Sequence, residues 1–596
     1  MRRDHEEGIA TERSEIRDGM QIDWDVPIVM DDGLILRADV YRPTDDDVHP
    51  ALITYGPYGK GLHFAEGYPD AWNRMVEAHP DVAAGSSNKY QAWEVCDPEK
   101  WVPHGYACVR VDARGWGRSP GYVEPYSPRG SKDFHDCIEW AGTQPWSSGK
   151  VGLLGISYYA ITQWLVAGLQ PPHLTAMVPW EGVSDFYRDM FYHGGMLCQA
   201  VDVWYRRTTT TVQHGLGERG ATNPNTGELV AGPETLSDEE LEANRSDYPA
   251  DVRAHPLFDG FHRDRSAQWD RVQVPLLSSA NWGGVGRHLR GNVEGFVRAA
   301  SEQKWLEIHG LEHWTEFYTD YGVSLQRRFL DHFLHGIDNG WQDQPRVILR
   351  VRNVDGSFVD RTEHGWPIAR TRWTRFYLDP ARGSLEPEPV AGSAAVSFAA
   401  LDSDGVTFTS APLADETEIT GPGAARLIVS SSTTDADVFV VLRVFDPDGD
   451  EVVFQGAVDP HTPVGQGWLR ASHRALDEEL STDERPYHRH TELQPLVPDE
   501  PTQLDVEIWP TSVIVPAGYR IALTVRGKDY EYSGAADVAE LSHFKGSKMR
   551  GVGIYTHADP EHRPPDVYGG TTTLHLGGEH GSSVLLPIVP PVAPSH

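Results

Sequence analysis

The chain has 596 residues and a formal net charge of −35, with 39% hydrophobic residues and 19 Trp, 23 Tyr and 18 Phe. At roughly 100 to 200 residues per domain, it is long enough for about three domains. Such acidity repels polyanions and argues against a nucleic-acid partner, and the aromatic content argues against extensive disorder.

The N-terminal stretch MRRDHEEGIATERSEIRDGM has no apolar core for a secretory leader, and no later window reaches about 18 uninterrupted apolar residues. The expectation is a cytoplasmic protein with no membrane partner. Residues 26–43, VPIVMDDGLILRADVYRP, place two β-rich runs around Asp32-Gly33, predicting an antiparallel hairpin whose two turn residues both take positive φ. PALITYGPYGK and YACVRVDARGWGRSPG then end buried runs in turn residues. KDFHDCIEWAGTQPW (132–146) has helical spacing, and KVGLLGIS is a third buried run. This alternation predicts a parallel sheet covered on both faces.

LTAMVPWEGVSDFY, RVQVPLLSSANW and KWLEIHGLEHW add further runs. Between about 186 and 270 the pattern turns helical, with Ser237 placed as an N-cap ahead of Glu239 and Glu240. From about 370 the residues alternate apolar and polar with frequent turns, the pattern of an antiparallel β-sandwich. The four cysteines, Cys96, Cys108, Cys137 and Cys198, have neither metal-ligand spacing nor a disulfide framework, so buried free thiols are expected.

GLLGISYYAITQW (152–164) raises the chemical question. A nucleophile on a strand-to-helix turn needs small neighbours; Gly155 meets that need, Tyr159 does not, and Ala160 follows one place later. Taken alone, the stretch fits equally a nucleophilic Ser157 and a serine capping the next helix. With GPYGK (56–60), DARGWGRSPG (112–121), GLEHW (310–314) and the C-terminal FVVLRVFDPDG, GWLRASHR and VPAGYRIAL in order, it resembles the cocaine esterase and Xaa-Pro dipeptidyl-peptidase superfamily. The resemblance implies an α/β fold: an α/β-hydrolase core (20–185 and 271–345), a helical cap (186–270) and a C-terminal all-β jelly-roll (365–592).

It further implies Ser157 as nucleophile, with the Tyr158 backbone N–H and the Tyr58 hydroxyl as oxyanion donors. Ala160 stands where relatives carry a glycine. A serine nucleophile needs an imidazole, and His313, just after the last core run, is the first choice. The same HGLEH stretch spells an inverted zinc-peptidase pattern, with His309 and His313 as ligands and Glu312 as base; that reading requires a helix. Relatives carry the triad aspartate where this chain has Gly284. Glu181, directly after another strand, is the expected replacement, with Asp185 as runner-up.

Trp180, Trp282 and Phe191 are the expected substrate contacts among the aromatic residues of the cap and its flanks. Asp202, Glu218 and Asp264 could hold a substrate amine. The reading is a serine hydrolase acting on a small-molecule ester or peptide-like amide, the Xaa-Pro dipeptidyl-peptidase type included, without cofactor or metal. A homo-oligomer is compatible with it. The alternatives are a non-catalytic hydrolase-fold binding protein, motivated by the missing aspartate, and the zinc peptidase.

Overall fold

The structure, a computed structural model, describes residues 13–535, 548–578 and 581–591. The N-terminal residues 1–12 and residue 592, the last of the expected jelly-roll, lie outside the described residues.

The first sheet contains β1 (Arg13–Arg17), β2 (Met20–Val29), β3 (Ile35–Arg42), β4 (His49–Gly56), β5 (Ala107–Asp112), β6 (Ser147–Ile156) and β7 (Leu174–Trp180). After a short cap hairpin, β8 (Tyr192–His193) and β9 (Met196–Leu197), it continues with β10 (Leu276–Asn281), β11 (Lys304–His309), β12 (Val347–Arg352) and β13 (Phe358–Glu363). Its order is β1-β2-β3-β5-β4-β6-β7-β10-β11-β12-β13. The strands from β5 through β12 run parallel, and antiparallel ribbons flank them at both edges. The parallel centre is buried along its length, as a sheet sandwiched by helices requires.

The opening hairpin forms, with a difference in its turn. Met30 and Leu34 close a three-residue loop, and only Gly33 is left-handed (φ 85°). The strands therefore meet through one glycine rather than two residues at positive φ. The helix Pro128–Gly142 is capped by the Ser127 side chain and packs on β4 and β6. Ser237 caps Asp238–Ala243 in a reciprocal box with Glu240. The cap region also contributes the helices Ala200–Val212 and Tyr248–Ala254.

The C-terminal region is all-β and has its own apolar core. Nine of its strands close a ring: Thr417–Ser431, Thr502–Val515, Gly465–Arg470, Asp437–Phe445, Arg520–Arg526, Val406–Ser410, Ser384–Glu386, Arg372–Asp379 and Ser583–Ile588, which returns to the first. The closure corrects the expected open sandwich to a barrel. Local alternation reports which face is buried but not which distant strand completes the edge. The four cysteines are free and buried.

Candidate active site

Ser157 follows β6 and precedes the helix Tyr158–Ala167 with φ 53° and ψ −113°, a strained conformation for a residue with a Cβ. Its side chain does not cap that helix, which removes the structural reading of the serine. The bulky Tyr159 is accommodated by glycines. A Cβ on Gly155 would lie 2.6 Å from Tyr159 Cβ, and one on Gly56 would strike the tyrosine ring. The small neighbours required by the turn are thus supplied by two different strands.

Successive strand ends are joined around the serine. The Ser157 N–H donates to the Trp180 carbonyl (3.1 Å), and the N–H of Glu181, the next residue, donates to the Ser279 carbonyl (2.7 Å). Glu94, Ser157, Glu181 and Leu311 all sit here with φ between 51° and 72°. Each such residue costs roughly 1–3 kcal/mol and persists only where its surroundings impose it, which is why strained residues gather at functional sites.

The ionisable groups form one buried chain. Glu181 Oε2 accepts from His313 Nδ1–H (2.7 Å), and Glu181 Oε1 accepts from His309 Nε2–H (2.9 Å) and from the Asn281 amide (3.1 Å). His309 Nδ1–H reaches Glu307 (2.8 Å), while His313 Nε2 lies 3.0 Å from Glu94 Oε1. The order is Glu307–His309–Glu181–His313–Glu94, and all five are buried. Burial favours the neutral form of every member, but the carboxylates outweigh it at both imidazoles, raising His309 to about 10 and His313 to about 9. Burial also works to raise Glu181, yet the two imidazoles hold it below the ordinary carboxylate range.

Glu181 therefore contacts the imidazole that the sequence assigned to it. Asp185 does not: its carboxylate binds Arg188 and the backbone N–H groups of Tyr187 and Arg188 at the cap junction. At Gly284 a Cβ would come within 2.9 Å of the His288 backbone, so this tight turn has no room for an aspartate. Glu312 pairs with Arg74. The zinc-peptidase pattern lacks its helix. His309 ends β11, Leu311 is left-handed, and the two histidines bind opposite oxygens of Glu181.

Two expectations are corrected. The serine–imidazole hydrogen bond is not made in this state, because His313 Nε2 is engaged by Glu94, a residue the sequence reading missed. Its one available signal was a carboxylate set between apolar neighbours in YQAWEVC. Second, Trp180, Trp282 and Phe191 are fully buried packing residues. Trp180 stacks on His309 (5.0 Å between centroids), the Trp282 indole donates to the Arg350 carbonyl (2.8 Å), and Phe191 packs edge-on to Phe186. Asp202 is paired with Arg253.

Tyr58 is buried, and its hydroxyl accepts from the Trp204 indole (3.1 Å), leaving the phenolic hydrogen available to donate. The Tyr158 N–H heads its helix, where no intrahelical acceptor exists. The barrel also reaches the site: the Ala457 carbonyl accepts from the His313 N–H (3.0 Å), and the Ala457 N–H donates to Gly283 (3.0 Å).

This fold, with a serine on a strained strand-to-helix turn and a buried histidine–carboxylate chain at the neighbouring strand ends, is that of an α/β-hydrolase. Residues 32–315 match the model of the X-Pro dipeptidyl-peptidase (S15) family, and residues 339–585 match the X-Pro dipeptidyl-peptidase C-terminal non-catalytic domain. A solved CocE/NonD family hydrolase from Staphylococcus aureus is 30% identical, with a TM-score of 0.81 over 96% of this chain and 94% of that one. The cocaine esterase of Rhodococcus sp. is 23% identical over 95% of this chain and 98% of its own length. A putative serine esterase of Mycobacterium tuberculosis is 24% identical over 84% and 90%, respectively. The chain belongs to the CocE/NonD hydrolases of the cocaine esterase and X-Pro dipeptidyl-peptidase superfamily. It is a serine hydrolase with a C-terminal non-catalytic domain. Among the described residues, no helix is long and apolar enough to cross a membrane.

Proposed function

We propose that the protein cleaves a carboxylic ester or an amide through an acyl-enzyme, with Ser157 as nucleophile, His313 as proton carrier and Glu181 as the acid that orients it. The 2.7 Å bond between Glu181 and His313 Nδ1 carries this reading, because it leaves Nε2 as the nitrogen for the serine. Ser157 attacks the substrate carbonyl while His313 takes its proton, then returns that proton to the leaving group. Water repeats the sequence to release the acid. The Tyr58 hydroxyl and the Tyr158 N–H stabilise the oxyanion, at about 3 kcal/mol for each donor.

The substrate class is a small-molecule ester or peptide-like amide, including the Xaa-Pro dipeptidyl-peptidase type. The proposed units are a core of 20–185 and 271–345, a cap of 186–270 and, in place of the expected jelly-roll of 365–592, an all-β barrel unit over the same span. Fluorophosphonate labelling tests the nucleophile: the wild type should be labelled and Ser157→Ala should not. Labelling that survives in the variant, or its absence in the wild type, sinks the assignment. Comparing p-nitrophenyl esters with a glycyl-prolyl anilide separates esterase from peptidase.

A further inference from the structure

His313 is held from both sides. Glu181 Oε2 lies 2.7 Å from Nδ1 and Glu94 Oε1 lies 3.0 Å from Nε2. An ionised carboxylate only accepts, so two such partners require two N–H groups and thus an imidazolium; a protonated Glu94 would instead donate into the Nε2 lone pair. In both cases one proton sits between Glu94 and His313, and Nε2 has no lone pair for a serine hydroxyl. The resting arrangement is closed to the first step of serine catalysis.

Glu94 is built into this position. Its left-handed backbone (φ 62°) directs its own carbonyl to accept the N–H of Ile156, the residue before the serine (3.0 Å). Its neighbour Trp93 stacks on Tyr68 (3.7 Å) and packs against Trp314, the residue after the histidine (5.5 Å). The second carboxylate oxygen of Glu94 is buried. The backbone is therefore fixed, while the ion pair with His313 and a hydrogen bond from the Trp93 side chain hold the carboxylate.

We propose that Glu94 is a positioning residue for the serine chemistry: it keeps the shared proton on His313 in the resting enzyme, and catalysis begins when this contact is released. This rests on the triad reading above. Substrate entering beside Ser157 can displace the carboxylate, and loss of the shared proton frees the nitrogen directly. Burial raises Glu94 and the flanking carboxylates raise His313 to about 9, so the pair holds its proton past neutrality. Of the groups facing the pair, Arg207 works the other way and draws Glu94 down, but burial outweighs it. Arg207 is the cation near Glu94, while Tyr58, Tyr68, Tyr159 and Tyr318 are raised and remain neutral. His288, stacked 4.4 Å from His313, is driven neutral by its own burial.

The test is Glu94→Gln, which keeps the shape and removes the charge. The rate of fluorophosphonate labelling at Ser157 would be followed from pH 5 to pH 10, alongside nitrogen NMR of labelled histidines in full-length protein. The expected result is an acid limb about one unit or more lower than in the wild type, hence about tenfold faster labelling at pH 6.5, with the His313 titration moving the same way. Profiles that superpose overturn the proposal. So does a folded variant that is unreactive at every pH while His313 titrates lower, because Glu94 would then be needed for the chemistry itself. If neither protein is labelled at any pH, the triad reading fails and this inference fails with it, whereas superposed but active profiles fault Glu94 alone.

Discussion

The carboxylate–imidazole chain of the hydrolase core and the C-terminal barrel both hold buried histidines, and they drive them in opposite directions. In the core, His309 and His313 alternate with carboxylates and are raised to about 10 and about 9. At the barrel end, burial lowers His473 to about 3 and both His488 and His562 to about 4, with nearby arginines among the secondary causes. In both places burial by itself disfavours the imidazolium, so the surrounding charge decides whether that is overcome. The raised imidazoles add stability below pH 6.5 that is lost as the pH climbs through 9 and 10. The lowered ones cost stability as the pH falls below 6.5, where only the unfolded chain takes up their protons. The core pair thus keeps its protons past neutrality, while the barrel histidines stay neutral packing residues.

Removing the charge at the centre of the core chain should have the largest effect. Glu181→Gln is expected to lower turnover by about 10⁴-fold, as in other triads that lose their acid, with the fold retained. Near-normal turnover in a folded variant would eliminate Glu181 as the triad acid and leave the core histidines as much packing as those of the barrel. The barrel counterpart is Asp437, fully buried between Arg470 (2.7 Å) and Arg563 (2.7 Å) and held at about 2 by Arg470 above all, against the effect of burial. Asp437→Asn should leave uncompensated buried charge and cost about 3–5 kcal/mol in chemical denaturation, while labelling of Ser157 in the folded protein continues. Equal loss of labelling and stability would show that the two regions are not separable in this way.

How much of this was legible follows from the range of the interactions. Ser157 and His313 were readable because each sits at the end of an apolar run, and a strand end is a local property. Glu181 was reached through a deficit: Gly284 cannot hold the acid, and a carboxylate directly after β7 stood nearby. Glu94 could not be found, because the irregular stretch between the helices Pro69–Ala78 and Pro98–Trp101 has no periodicity to place one residue against a histidine more than 200 positions later. The tryptophans misled for a related reason. Size and apolarity predict burial, but Trp180 is covered by His309 and Trp282 by the β12 backbone, and neither neighbour is apparent from local pattern. The closed barrel depends on Ala424 meeting Leu585, a pairing between distant strands.

A smaller effect sharpens the barrel side. His473, buried and paired with His490 (3.0 Å), should contribute roughly 1.4 kcal/mol per pH unit to acid destabilisation between pH 6.5 and its own lowered value. In His473→Gln the slope of stability against pH should flatten by about that amount over pH 4.5 to 6, whatever the absolute stability. An unchanged slope would mean that His473 takes up its proton in the folded barrel.

The smallest effect lies at the far end of the core chain and tests whether the chain acts as one unit. His309 stays protonated to about 10, so Glu181 faces a fixed positive charge on the side away from His313. That charge offsets part of the field with which Glu181 stabilises the His313 imidazolium. Replacing it by a neutral amide in His309→Gln should let His313 feel the whole carboxylate. Its acid limb should then rise by about one unit, giving about tenfold slower labelling at pH 6.5 and an unchanged plateau at high pH. The direction is opposite to that expected for Glu94→Gln, and an effect from loosened packing would not reverse sign between the two ends. Glu307, which also accepts from the Ser279 and Tyr321 hydroxyls, would lose its cationic partner in the single variant, so Glu307→Gln combined with His309→Gln, which removes one charge of each sign, guards against misfolding. Because Glu307 is the farther member from His313 in the chain, the combined variant should keep the upward direction with a smaller amplitude. A downward shift in either variant would mean that His309 supports the imidazolium rather than tempering it.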